Sequence, residues 1–135
     1  MIEQGIVKLV QGTASVIALT PQGGGFLGTL PEDVSQTNPS WTYIIVSHDP
    51  QTALNSIRGL AFLRLQIDCY APTGDKVIKL ARQIDLVLHG YRGTLTDTDS
   101  TYVDSCFQSD MQDFPLDPQS RTFRRMLEYE IKYRN

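Results

Sequence analysis

Leu63-Arg64-Leu65-Gln66-Ile67-Asp68-Cys69-Tyr70 alternates without a break. Leu63, Leu65, Ile67 and Cys69 fall on one side of an extended chain, and Arg64, Gln66, Asp68 and Tyr70 on the other. Side chains of a strand point alternately to opposite faces, so this pattern predicts a strand over 60–70 that buries one face only. Immediately after it comes Pro72-Thr73-Gly74-Asp75, a helix start. Thr73 is placed to cap the first free N–H groups, and Asp75 suits the positive end of the helix dipole. Val77, Leu80, Ala81, Ile84, Val87 and Leu88 then recur at helical spacing, and Gly90 stands where a left-handed C-terminal cap belongs. A half-buried strand followed by an amphipathic helix of matching apolar stripe sets up a sheet with a helix on its apolar face.

The rest of the chain reads outward from that unit. Ile2, Ile6, Leu9 and Val10 predict an N-terminal amphipathic helix over 2–11, ended by Gly12, with a short turn over 13–19. Pro21-Gln22-Gly23-Gly24-Gly25-Phe26-Leu27-Gly28 predicts a mobile loop, because successive glycines have no side chains to bury, with Phe26 to Leu30 a short strand candidate. Residues 31–40 are a polar connector with two prolines, so 21–40 is expected as a flexible segment within one domain spanning 1–135. Trp41 to Ser47 is aromatic and β-branched and reads as a strand, and 48–59 as a loop. Tyr91–Thr96 and Thr101–Gln108 read as strands around an Asp97-Thr98-Asp99-Ser100 turn, and 112–120 as a loop. Phe123–Tyr133 reads as a long terminal strand with Phe123, Leu127, Tyr129, Ile131 and Tyr133 on one face, interrupted by Arg125. Strands joined by loops favour antiparallel pairing. The expected class is α+β, an antiparallel sheet of about four to five strands with two helices packed on one face.

Composition narrows the function. The chain of 135 residues is 41% hydrophobic and 20% charged, ordinary for one globular domain with a real core. It has no apolar run long enough to span a membrane, and no signal-peptide pattern at Met1-Ile2-Glu3-Gln4, so synthesis in the cytoplasm of a host is expected. A formal net charge of -3 does not suit a general nucleic-acid binder, which needs a basic footprint. Asp97, Asp99, Asp104, Asp110, Asp113 and Asp117 occur between Thr94 and Ser120 without a Lys or Arg, and Arg121, Arg124, Arg125, Lys132 and Arg134 follow. Such a run is either a solvated edge or one of two faces that meet complementary partners. Cys69 and Cys106 form no CxxC pair and are expected as reduced, buried thiols.

The sequence carries no recognisable catalytic or metal-binding constellation. His48 and His89 have no neighbours at metal-ligand spacing, so no metal and no cofactor are expected. Asp97-Thr98-Asp99 lacks the sixth-position Gly and twelfth-position Glu of a calcium loop and reads as a turn. Gly23-Gly24-Gly25 is not followed by a Lys-Ser or Lys-Thr opening a helix, so it is no phosphate cradle. Cys69 lies on the apolar side of its strand, where a thiol is inert, and there is no nucleophile elbow. No catalytic residue is assigned, and a non-enzymatic role is expected.

Three blocks in order carry a resemblance. The opening Met1-Ile2-Glu3-Gln4-Gly5-Ile6-Val7-Lys8-Leu9-Val10 resembles the first helix of small phage tail-completion proteins. Leu63-Arg64-Leu65-Gln66-Ile67-Asp68-Cys69-Tyr70-Ala71 looks like their central strand, with its R-x-Q-I-D-x-x-A pattern. Leu88-His89-Gly90-Tyr91-Arg92-Gly93-Thr94-Leu95 is similar to their turn after the second helix. The chain thus resembles the tail-completion (tail-terminator, tail-to-head joining) family of long-tailed phages and prophages. That resemblance implies a structural protein of the virion tail. It would form a ring, often a hexamer; several members of the family are monomers in solution and form the ring only at the tail tip. It would cap the tail tube, meet the tail tube protein and a head connector or stopper protein, and let DNA pass through its lumen. Gly23, Gly24, Gly25, Phe26, Asp97, Asp99 and Asp104 are the candidate assembly or lumen surface. The competing readings are a small α+β binding module for a metabolite or peptide, and an enzyme of unknown type.

Overall fold

A computed structural model describes residues 2–30, 38–49, 60–96, 101–119 and 121–134. The elements run α1 (Ile2–Gln11), α2 (Ala14–Leu19), β1 (Phe26–Leu27), β2 (Ser40–Asp49), β3 (Leu60–Ala71), α3 (Gly74–Leu88), β4 (Gly93–Thr94), β5 (Tyr102–Phe114) and β6 (Phe123–Arg134). The described strands form one sheet in the order β1-β2-β3-β6-β5-β4. The class is α+β, as expected, with four long strands at its centre. Two differences stand out. The sheet has six strands, because two-residue strands cap each edge, and β1 lies parallel to β2 while the other pairings are antiparallel. Among the described residues three helices form rather than two. The segment over 13–19 closes a real turn of helix, α2, because Thr13 O accepts from both Val16 N and Ile17 N and Val16 packs into the core.

The alternation in β3 works as its sequence dictates. Leu63, Leu65, Ile67 and Cys69 are buried, as are Val77, Leu80, Ala81, Ile84 and Leu88 of α3, and all belong to one core with Ile6 and Val10 of α1. β3 pairs along its whole length with β6, bringing Leu65 beside Tyr129 and Ile67 beside Leu127. Tyr129 is fully buried yet polar at its tip, and its hydroxyl donates to Asp85 of α3 at 2.8 Å, which ties the helix to the sheet. Thr73 caps α3 by accepting from Lys76 N at 3.3 Å, and Gly90 takes φ 81 just beyond the helix end. Two strands outrun the sequence expectation: β2 continues to Asp49, and β5 to Phe114 rather than Gln108.

Candidate functional site

The glycine segment is packed rather than open. Gly25 N donates to Trp41 O at 2.9 Å, Gln11 Nε2 to Gly24 O at 2.8 Å, and Ser40 Oγ to Gly23 O at 2.8 Å. Gly24 lies against the indole of Trp41, which is buried, so closely that a Cβ there would sit 2.2 Å from Nε1. Gly25, at φ 81, takes a left-handed conformation, and a Cβ on it would meet Gln11 Nε2 at 2.5 Å. The glycines are thus what let the chain pass between α1 and the start of β2. Phe26 follows as the first residue of β1, half-buried beside Thr42. Residues 31–37 of the expected flexible segment lie outside the described residues.

Two of the described acids are paired with arginines. Asp97 and Asp99 lie outside the described residues. Asp104, on β5, accepts two bonds from Arg134 of β6, at 2.8 and 2.9 Å. Asp113 is held the same way by Arg125, at 2.6 and 3.0 Å, and this hydrogen bonding lowers its carboxyl below the ordinary range. Asp110 accepts from its neighbour's amide, Met111 N, at 2.8 Å. Two acids of the run are therefore compensated across strands by bases that lie outside it in the chain. Arg124, Arg125, Lys132 and Arg134 lie on β6, antiparallel beside β5, and two of them neutralise two of the acids.

The polar side of the sheet carries a second network that ties the strands together. Arg64 of β3 reaches Glu128 at 3.2 Å and Glu130 at 2.5 Å on β6. Asp68, nearly buried, accepts from Arg124 Nε at 2.9 Å and from Gln66 Nε2 at 2.9 Å. Arg124 also stacks on Phe114 at 4.3 Å. Arg64 and Asp68, singled out in the sequence as part of a motif, thus bridge β3 to β6 from the face opposite the helices, with Gln66 bonded to Asp68 within β3. Beside Arg64 a concavity of about 400 Å³ is lined by His48, Phe62, Phe107, Glu130 and Lys132, among others. His48 Nε2 is hydrogen-bonded to Tyr133 Oη at its margin.

The thiols give no nucleophile. Cys69 and Cys106 are free and buried. Burial raises both, Cys69 with help from Asp68, and Cys106 is pushed up to about 12 with Asp85 adding to the effect. Among the described residues no group of three or more His, Cys, Asp or Glu side chains could hold a metal ion. No helix among them is long and apolar enough to cross a membrane.

The architecture that emerges is a two-layer α+β fold, a sheet of four long strands with helices on one face and cross-strand ion pairs on the other. No family model matches the sequence, and no curated protein matches it. A solved structure does share the fold: a chain of the "Virion of native gene transfer agent (GTA) particle", with a TM-score of 0.71 at 12% identity, over 99% of this chain and 95% of that chain.

Proposed function

We propose that this chain is a structural subunit of a phage-like virion, a ring-forming protein that caps the tail tube and helps join tail to head. The observation that carries the proposal is the similarity in fold, over nearly the whole of both chains, to a component of a gene transfer agent virion. The order of motifs from residue 1 to 95 points the same way. So does the use of the polar residues: Arg64, Asp68, Asp104 and Asp113 are engaged in holding strands together. In this reading the single domain is tail-terminator-like and hexameric in the ring. Its partners are further copies, the tail tube protein and a head connector, with DNA only passing through. Gly23 to Phe26 and the acidic stretch, with Asp97, Asp99 and Asp104, contribute to the contact or lumen surface, and segment 21–40 becomes better protected on assembly.

Deleting the gene in a particle-producing host tests this. The expected result is free heads with tails of uncontrolled length, seen by electron microscopy and restored by supplying the protein in trans. Normal particles from the deletion strain contradict it. A second reading, a small binding module for a metabolite or peptide, is favoured only by the concavity beside Arg64, whose apolar walls Phe62 and Phe107 alternate with charged groups. That reading predicts a ligand-dependent rise in melting temperature, abolished by Phe107→Asp.

A further inference from the structure

We infer that copies of this chain join head to tail through the two edges of the sheet, the strand β2 of one copy adding to the strand β5 of the next. The inference rests on the ring proposed above and names its interface. Each edge is capped by a strand of only two residues. β1 covers Thr42 and Tyr43 of β2, and β4 covers Tyr102 and Val103 of β5. Among the described residues no strand pairs with Ile44–His48 on the outer side of β2, or with Ser109–Phe114 on the outer side of β5. On β5 the intervening positions are closed, because Gly90 N donates to Cys106 O and Gln108 N to His89 Nδ1.

The open edge of β2 differs from what an isolated sheet would present, whereas that of β5 carries Asp110 and Asp113. Proteins blunt bare edges with charge or proline, since unpaired N–H and C=O groups recruit other strands. Ile44, Ile45 and Val46 are instead three consecutive β-branched residues, 36%, 39% and 47% exposed, in a run from Ser40 to His48 that contains no Lys, Arg, Asp or Glu. Met111, 48% exposed, offers an apolar counterpart on β5. Strand direction fits as well. β2, β3, β6 and β5 alternate, so β5 runs opposite to β2. A neighbour related by rotation about a ring axis therefore brings its β2 antiparallel to this β5, and the alternation continues across the joint.

The registers also give a stagger. Ile44 is level with Gln66, Glu128 and Asp110, and His48 with Leu63, Ile131 and Cys106. The open part of β5 therefore lies further along the sheet than the open part of β2, by about three residues or roughly 10 Å at the rise of a strand. Joining them shifts each copy along the strand axis, and a closed sheet requires such a shear. One local bond must yield: Met111 N, now bound to the Asp110 carboxylate, would turn to a carbonyl of the added strand. The two edges are different surfaces, so the contact is heterologous and closes into a ring only if the rotation does.

Site-specific crosslinking tests the joint. Val46→Cys and Met111→Cys are made singly and together in the full chain, whose native thiols are buried. Concentrated protein is oxidised mildly and read on a non-reducing gel, beside electron microscopy of the same samples. The double variant is expected to give a ladder of covalent oligomers, and an equal mixture of the two single variants a dimer, while neither single variant crosslinks alone. A dimer from Val46→Cys alone means that β2 pairs with its own copy and overturns the head-to-tail joint. Rings without a ladder also overturn it and leave the ring reading standing. Monomers without rings at any concentration, and no rings on tail tubes, overturn both. Val46→Lys should abolish rings with its thermal transition unchanged, and rings that persist count against the proposal.

Discussion

Replacing Gly24 with Ala isolates the packing between the glycine segment and the only tryptophan. The new Cβ would lie 2.2 Å from Trp41 Nε1 and 2.3 Å from Cδ1. Carbon contacts relax at about 3.5–4.0 Å, so something must move by more than about 1 Å. The indole cannot move freely, being 1% exposed within the core. The loop cannot either without loosening the bonds from Gln11 Nε2 and Ser40 Oγ to its carbonyls. Overpacking of this kind costs about 1–3 kcal/mol. At roughly 3–5 °C per kcal/mol for a domain of this size, the midpoint should fall by about 3–15 °C. Thermal unfolding followed by circular dichroism measures it, and Trp41 emission reports the site directly. Gly74→Ala is the control. A Cβ there meets nothing within 4 Å and the residue does not have positive φ, so removing a flexible glycine from the first turn of α3 should raise stability by about 0.4–1 kcal/mol. Equal midpoints for Gly24→Ala and the parent, with unchanged emission, would refute the claim that this loop is packed.

Leu65→Ala empties the centre of the core between β3 and α3 and should cost about 2–5 kcal/mol in urea unfolding; a cost within error of zero contradicts the packing. Buried Cys69, Cys106 and Tyr129 all have raised pKa values, chiefly through burial, with Asp85 adding to the last two. Each stabilises the fold while neutral. That contribution is complete below the unfolded values of about 8.5 for Cys and 10 for Tyr, and is lost as pH rises above them. Melting temperature should thus hold up to about pH 8 and fall progressively at higher pH, and a flat profile to pH 11 would count against it. Titration with a thiol reagent at pH 8 should find no reactive cysteine in the native protein and both after unfolding. Asp104→Lys removes a partly exposed pair with Arg134, so stability should change by no more than about 1 kcal/mol, as equilibrium unfolding would show.

What the sequence made legible was local and periodic. β3, α3 and the inward face of β6 each declare themselves through spacing within one element, and the pairing of Leu65 with Tyr129 follows once their apolar faces must meet. What it hid depends on distance along the chain. Glycines in succession look like a loop because the residue that needs them, Trp41, lies seventeen positions beyond Gly24 and accepts from their backbone only in the fold. The far end of β5, Ser109–Asp113, is polar and exposed and has no strand signal of its own. It is extended because β6 pairs with it up to Arg124. α2 is six residues with one buried side chain, Val16, too short to show a stripe.

The charge asymmetry teaches the same lesson with a functional edge. Read along the chain, six acids without a base suggest a negative wall, which would keep DNA from sticking in a lumen. Read across strands, Asp104 and Asp113 each carry an arginine in two-point contact, so at these positions the surface presents ion pairs with little net field. A conduit does not need strong repulsion. Binding to DNA is driven by cations that displace counterions from phosphates, and a wall whose arginines are already committed to carboxylates has few to offer. Screening confines any residual field to roughly 8–10 Å at physiological salt, so it acts only on DNA that nearly touches the wall. On the face opposite the helices, Arg134 therefore matters as much as Asp104. Releasing Arg134 by Asp104→Lys adds two positive charges to the surface, one new and one unmasked. If β5 lines the lumen, rings of that variant should retain DNA in a salt-dependent manner while their subunits stay folded. If β5 instead faces a head or tail partner, the same variant should give finished tails that fail to join.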